Sequence, residues 1–175
     1  ALGTPEALSA ALFYLVHRTW ITGALFLIVD LISRQRGEKA GRLIQGPALL
    51  QPLRLSALFF IGAIAIAGLP PFSGFLGKVM LLRAIELGAD AIALWAVVLV
   101  GGLGMLISLS RAGSLVFWRP SAEAVGQPAD AIRVLATVGL LLGSVMLVVA
   151  AGPLQAFVQA TAAQLLDVAP YLQIL

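Results

Sequence analysis

The sequence predicts an all-α, polytopic transmembrane helix bundle of about four spans, one of them a broken helix, followed by a C-terminal amphipathic segment. Composition is the first reason. Hydrophobic residues make up 61% of the 175 and charged residues only 11%, at a mean hydropathy of +1.04. A soluble domain of this size needs roughly a quarter of its residues charged to keep its surface wet. Far fewer are present, so the solvent is lipid. Length is the second reason: a bilayer span takes about 20 mostly apolar residues at about 1.5 Å each, and the chain supplies four such stretches. The third is a proline pair set inside one of those stretches.

The first span is expected over 5–33. Pro5 suits a first helical turn, where no N–H is needed, and Arg34 and Arg36 end the apolar run. A basic loop follows through Lys39, Arg42 and Arg54, with turn signals at Gly46–Pro47 and Gln51–Pro52. The second stretch, 53–87, is too long for one upright span and too short for two with a turn. Pro70 and Pro71, close behind Gly68, remove backbone donors and disfavour helix there, so a broken helix is expected. The third span is expected over 91–109, ending at Ser110–Arg111. A polar loop with Arg119, Glu123 and Pro128 leads to the fourth, over 132–151. Beyond Gly152–Pro153, the residues Leu154, Phe157, Thr161 and Leu165 recur at helical spacing. They predict a helix over 153–167 lying along the membrane surface or a neighbour. All of this reads as one transmembrane domain, 1–175.

Charge gives the orientation. Of the 11 Lys and Arg, Arg34, Arg36, Lys39, Arg42, Arg54, Arg111, Arg119 and Arg133 fall in two loops that alternation puts on one side. Arg83 stands at an opposite end, beside Glu86 and Asp90. The basic side is cytoplasmic, which sends the C-terminus to the periplasm or exterior and places the chain in a bacterial inner membrane. The same residues are therefore topology signals, and the basic pI gives no case for nucleic acid. With no cysteine and a single histidine, neither a disulfide framework nor a multi-His or Cys metal site can be built, and no cofactor is expected. Ala1–Glu6 lacks the basic region and cleavage site of a signal peptide and resembles an interhelical loop, so a longer parent polypeptide is expected.

Function in such a chain lies where polar groups sit at membrane depth, because a Lys or Arg at mid-bilayer costs about 2.5–3.5 kcal/mol on insertion scales. Lys78 lies in the second half of the broken stretch, followed by Met80, Leu81 and Leu82. A lysine balanced between desolvation and nearby charge can load and release a proton; its plainer alternative is a side chain snorkelling to the interface. An interrupted helix also exposes backbone groups that only protein or a watery cavity can satisfy. Ser73, Gly74 and Gly77 offer one hydroxyl and two points of close approach beside the break. The plainer alternative there is a packing kink. His17 can change charge near neutral pH and hand protons along a line of waters, or it is a neutral, hydrogen-bonded packing residue. Arg18 titrates too high to shuttle protons. It shares a stripe with Tyr14 and Thr22 and reads as a fixed counter-charge or headgroup anchor whose carboxylate lies elsewhere, since Asp30 pairs more naturally with Arg34. The run Gly101-Gly102-Leu103-Gly104 reads as a seam for close helix packing. Phe72 and Val79 stand where a nucleotide-binding P-loop needs glycine and Ser/Thr, so that reading is excluded.

The run from Gly68 to Lys78, GLPPFSGFLGK, resembles the signature of the proton-translocating antiporter-like subunits shared by respiratory complex I, membrane-bound hydrogenases and Mrp-type cation/proton antiporters. The segment Tyr14–Thr19 with Ala24–Leu27 resembles that family's histidine-bearing helix. Leu109–Ser114 with Phe117–Arg119 is similar to the D-type subunits of the Mrp antiporters, over their C-terminal third. The resemblance implies a larger subunit with two broken helices related by inverted repeats and a mid-membrane line of Lys, Glu and His. It makes Lys78 the lysine of the second broken helix and His17 the histidine feeding it. Thr22 stands where many relatives carry lysine. The implied function is a membrane subunit of a multisubunit Na+(K+)/H+ antiporter, not itself an enzyme. Its implied partners are other subunits, protons, a monovalent cation and lipid. Two further readings are a proton-pumping subunit of complex I or a hydrogenase, and a non-conducting assembly subunit.

Overall fold

A computed structural model describes residues 3–85, 88–118 and 120–167, and every regular element in them is helical. The elements are α1 (Pro5–Arg34), α2 (Pro52–Ala67), α3 (Ser73–Arg83), α4 (Ala89–Gly113), α5 (Ala131–Val149) and α6 (Ala151–Leu166). Glu86, Leu87 and Arg119 lie outside the described residues, as does the side chain of Asp90. By length and composition, three stretches can cross a membrane: Pro5–Arg34, Ala91–Trp118 and Ala131–Val149. The chain is a multi-pass membrane protein.

α1 is the axis of the bundle. Its 30 residues make a rod about 45 Å long, started by Thr4, whose hydroxyl accepts from the Ala7 amide at 3.2 Å. Ala10, Phe13, His17, Ile21, Ala24, Ile28 and Leu31 recur three or four positions apart and are all buried. Around this stripe pack α2, α3, α5 and α6. α4 packs instead on α2 and α3, and none of the apolar window of Ala91–Trp118 is buried within the chain.

The broken stretch is two short helices, of 16 and 11 residues, joined through 68–72. Gly68 closes α2 at φ 72°, ψ 45°, a left-handed conformation that glycine adopts without steric cost. Its amide turns back to Ala65 O at 3.1 Å and that of Leu69 to Ile64 O at 3.2 Å. Pro70–Pro71, a cis pair, leads into α3.

At one end of the bundle the basic loop after α1 meets the polar loop before α5. Ala48 N donates to Ala122 O and Ser121 N to Gly46 O, both at 2.9 Å. Asp30 ties the same end together, accepting from Arg34 Nε at 2.9 Å and from Arg133 Nη1 of α5 at 2.8 Å. Arg36 is buried there and organises the first loop. Its Nη1 donates to Ala40 O at 3.1 Å and Arg42 O at 2.5 Å, and its Nη2 donates to Ile44 O. Burial pulls its guanidinium below the ordinary value.

Two elements differ from the sequence expectation in informative ways. α4 continues past Ser110–Arg111 to Gly113, and a wider π-type turn carries the chain on to Trp118. Nothing at Ser110 or Arg111 blocks helix, and Phe117 and Trp118 stack on the Phe59–Phe60 pair of α2, with Phe60 and Trp118 centroids 5.4 Å apart. In α6 the buried positions are Val158 and Ala162, whereas Phe157 and Leu165 of the expected stripe are exposed. α6 packs on α1, and its buried side chains, Val158 and Ala162, are small or medium-sized.

Candidate functional site

The α2–α3 break, the middle of α1 and the glycine run of α4 converge on two adjoining polar features. The first is dry. His17, Ser73 and Ser144 are each 0% exposed, drawn from α1, the first turn of α3 and α5. His17 Nδ1 lies 2.8 Å from Ser73 Oγ, which lies 3.1 Å from Ser144 Oγ. These distances make a three-member hydrogen-bonded chain across three helices. His17 Nε2 is buried with no hydrogen-bond partner among the described residues.

Glycine makes this approach possible. A Cβ added at Gly74 would stand 2.5 Å from His17 Nε2 and 3.0 Å from Ala65 O. One added at Gly77 would stand 3.0 Å from the Tyr14 ring, itself 5.9 Å centroid to centroid from His17. The glycines read from sequence as points of close backbone approach lie against α1 at Tyr14 and His17.

The second feature is a cavity of about 240 Å³ lined by Tyr14 and Arg18 of α1, Ile66 of α2, Lys78 and Leu81 of α3, and Val97, Val98, Gly101, Gly102 and Met105 of α4. Lys78 Nζ donates to Ala67 O at 2.5 Å. Ala67 ends α2, so its carbonyl has no partner further along the helix. The lysine supplies one, at the negative end of that helix's dipole. An ammonium has three donors, and the cavity adjoins the remaining two. Arg18 Nη1 touches Met105 Sδ at 4.0 Å, and Arg18 makes no ion pair among the described residues.

Of the residues singled out from sequence, Lys78 and Arg18 share the cavity, His17 and Ser73 share the hydrogen-bonded chain, and Gly74 and Gly77 bring the two together. Pro70 and Pro71 lie in the joint between α2 and α3. Asp30 sits at the basic end with Arg34 and Arg133, away from the site. Thr22, half-buried one turn beyond Arg18, does not line the cavity.

Sequence reasoning missed Ser144 altogether, and it missed the places of Tyr14 and Gly102 in the cavity wall. Ser144 is one serine in an apolar helix, and only the α3–α5 packing gives it meaning. In the glycine run of α4, Gly102 faces Lys78 Nζ of α3, while a Cβ on Gly101 or Gly104 would meet nothing within 4 Å among the described residues. No group of His, Cys, Asp and Glu suited to a metal ion occurs among the described residues.

Residues 1–108 match the model of the family described as NADH:quinone oxidoreductase/Mrp antiporter, transmembrane. A probable K(+)/H(+) antiporter D-type subunit of Rhizobium meliloti is 32% identical over 197 residues, covering 94% of this chain and 36% of that protein. An Na(+)/H(+) antiporter D-type subunit of Alkalihalophilus pseudofirmus is 31% identical over 97% of this chain and 34% of its own length. An Na(+)/H(+) antiporter A-type subunit from the same organism is 34% identical over 54% of this chain and 12% of its own. The chain thus spans about a third of the length of the D-type relatives it matches.

Proposed function

Because the chain belongs to the NADH:quinone oxidoreductase/Mrp antiporter transmembrane family, we propose that it is part of a membrane subunit of a multisubunit Na+(K+)/H+ antiporter and carries protons through Lys78 and His17. The observation behind this reading is the placement of Lys78. Its ammonium is held at 2.5 Å by a helix-end carbonyl and adjoins a cavity with room for several waters. A lysine so placed can take a proton from cavity water and return it without losing its anchor, since the neutral amine also donates. His17 is the second station: imidazole accepts at one nitrogen and donates at the other, and the Ser73 and Ser144 hydroxyls can each do both. Arg18, always charged, sets the field of the cavity and does not exchange protons.

The names of the relatives support an antiporter, as components of K(+)/H(+) or Na(+)/H(+) exchangers. The family description also covers quinone oxidoreductases, so a redox-driven pump is the second reading; redox subunits rather than antiporter subunits in the purified complex would favour it. The end of the bundle that carries the 35–51 and 120–130 loops faces the cytoplasm of a bacterium, and the C-terminus faces outward. The test is proton flux in vesicles carrying the assembled complex. Lys78→Ala lowers it more than about tenfold, a loss of about 1.4 kcal/mol or more of transition-state stabilisation. Full flux from an assembled Lys78→Ala complex excludes the carrier role and leaves a purely structural component.

A further inference from the structure

A hydroxyl inside a helix commonly turns back on its own backbone. Here Ser9, Ser33 and Ser56 donate to the carbonyl three residues before them, and Thr137 and Thr161 to the one four residues before. Ser144 does not: its Oγ lies 3.1 Å from Ser73 Oγ, which lies 2.8 Å from His17 Nδ1. We propose that Ser144 is a positioning residue that fixes the tautomer of His17. Its hydroxyl donates to Ser73, Ser73 donates to Nδ1, and neutral His17 carries its proton on Nε2. The inference rests on the reading of His17 as a proton station for its consequence, not for its geometry.

The first reason for this direction is Trp20. It follows His17 by three positions on α1, and its Nε1 donates to Leu140 O at 2.8 Å. Gly143 admits the indole, since a Cβ there would collide with Trp20 Nε1. Leu140 O lies four residues before Ser144, so it already accepts the Ser144 amide within α5. A carbonyl has two lone pairs, and the indole takes the second. Among the described residues Ser144 makes no bond to Leu141 O either, three positions before it. The hydroxyl therefore turns to Ser73.

The second reason is the number of stranded groups. His17, Ser73 and Ser144 are fully buried, and His17 Nε2 has no hydrogen-bond partner among the described residues. A chain directed from Ser144 to His17 uses both hydroxyl hydrogens and leaves only the Nε2 proton unpaired. Directed the other way, with Nδ1 donating, it strands both the Ser144 hydrogen and the Nε2 lone pair. Each buried group left unpaired is costly, so the first direction prevails. The hydrogen that neutral His17 can pass on then sits at Nε2, on the Gly74 side of the ring.

The experiment is magic-angle-spinning NMR of the assembled complex in membranes, with isotope-labelled histidine, at a pH of about 9, well above the ordinary histidine range. The His17 signals are those that vanish in the His17→Gln complex. The expected ring is neutral, protonated at Nε2 and bare at Nδ1. A proton on Nδ1, alone or together with one on Nε2, overturns the proposal. Ser144→Ala raises the share of the Nδ1-protonated ring more than about fivefold, the effect of removing one buried donor. Trp20→Phe produces a rise in the same direction, because Leu140 O can then take the Ser144 hydroxyl. Trp20 is 41% exposed, so this variant decides the matter even where Ser144→Ala does not assemble. An unchanged ring in an assembled complex of either variant overturns the role of Ser144. Full proton flux from His17→Gln, by contrast, removes the proton station and leaves the tautomer assignment standing.

Discussion

His17 illustrates how one position answers to two demands. It occupies a core position in the buried stripe of α1 and offers one ring nitrogen to Ser73 while the other faces Gly74. The neighbour it cannot accept is a methyl group. Gly74→Ala would set a Cβ 2.5 Å from Nε2, with Ala65 O at 3.0 Å blocking retreat. The expected outcome is a displaced imidazole, a cost of about 1–3 kcal/mol from overpacking and proton flux well below that of an equal amount of wild-type complex. Arg36 is a residue of another kind, remote from the site. Arg36→Met strands three loop carbonyls that now accept from a charged group, and loses about 3 kcal/mol, seen as a lower unfolding temperature in detergent with flux per assembled complex unchanged. Sequence alone raised His17 and Lys78, since each is a polar group in an apolar stretch. It did not raise Ser144, nor Tyr14 as a wall of the site, because a serine in a helix or a tyrosine beside a histidine gains meaning only from the helix opposite.

At the scale of the element, the α2–α3 joint is the decisive unit. Its existence was legible because prolines at 70 and 71 remove donors that a continuous helix needs. The destination of the freed carbonyls was not legible, since Lys78 lies 11 residues beyond Ala67 and only the fold returns it there. Gly68→Ala tests the joint. It forces a left-handed conformation on alanine, about 1–2 kcal/mol, and places a Cβ 2.9 Å from Lys78 Cε. Faster amide exchange at the end of α2, together with reduced flux, is the expected result; exchange at the wild-type rate would show that the joint tolerates the change. The ion bridge between α1 and α5 is weaker than it looks. Asp30 bridges Arg34 and Arg133, but its side chain is 38% exposed. Asp30→Asn is therefore expected to cost less than about 1 kcal/mol, in a salt-dependent way, and a larger loss in thermal scans would mean that this end is more shielded than its exposure indicates.

For the whole molecule, composition and spacing were enough to give an all-α bundle, because lipid leaves the backbone few ways to satisfy itself. They did not rank the helices. α1 and α4 are both long and apolar, yet α1 is wrapped by four others while α4 is bare along its outer side. The difference lies in packing partners, which a single hydropathy profile does not record. This bareness bears on how the chain behaves outside a bilayer. A greasy ribbon about 40 Å long would draw a collar of detergent around itself or stick to its own kind. Yields of the purified chain will thus track the choice of surfactant more closely than any point substitution.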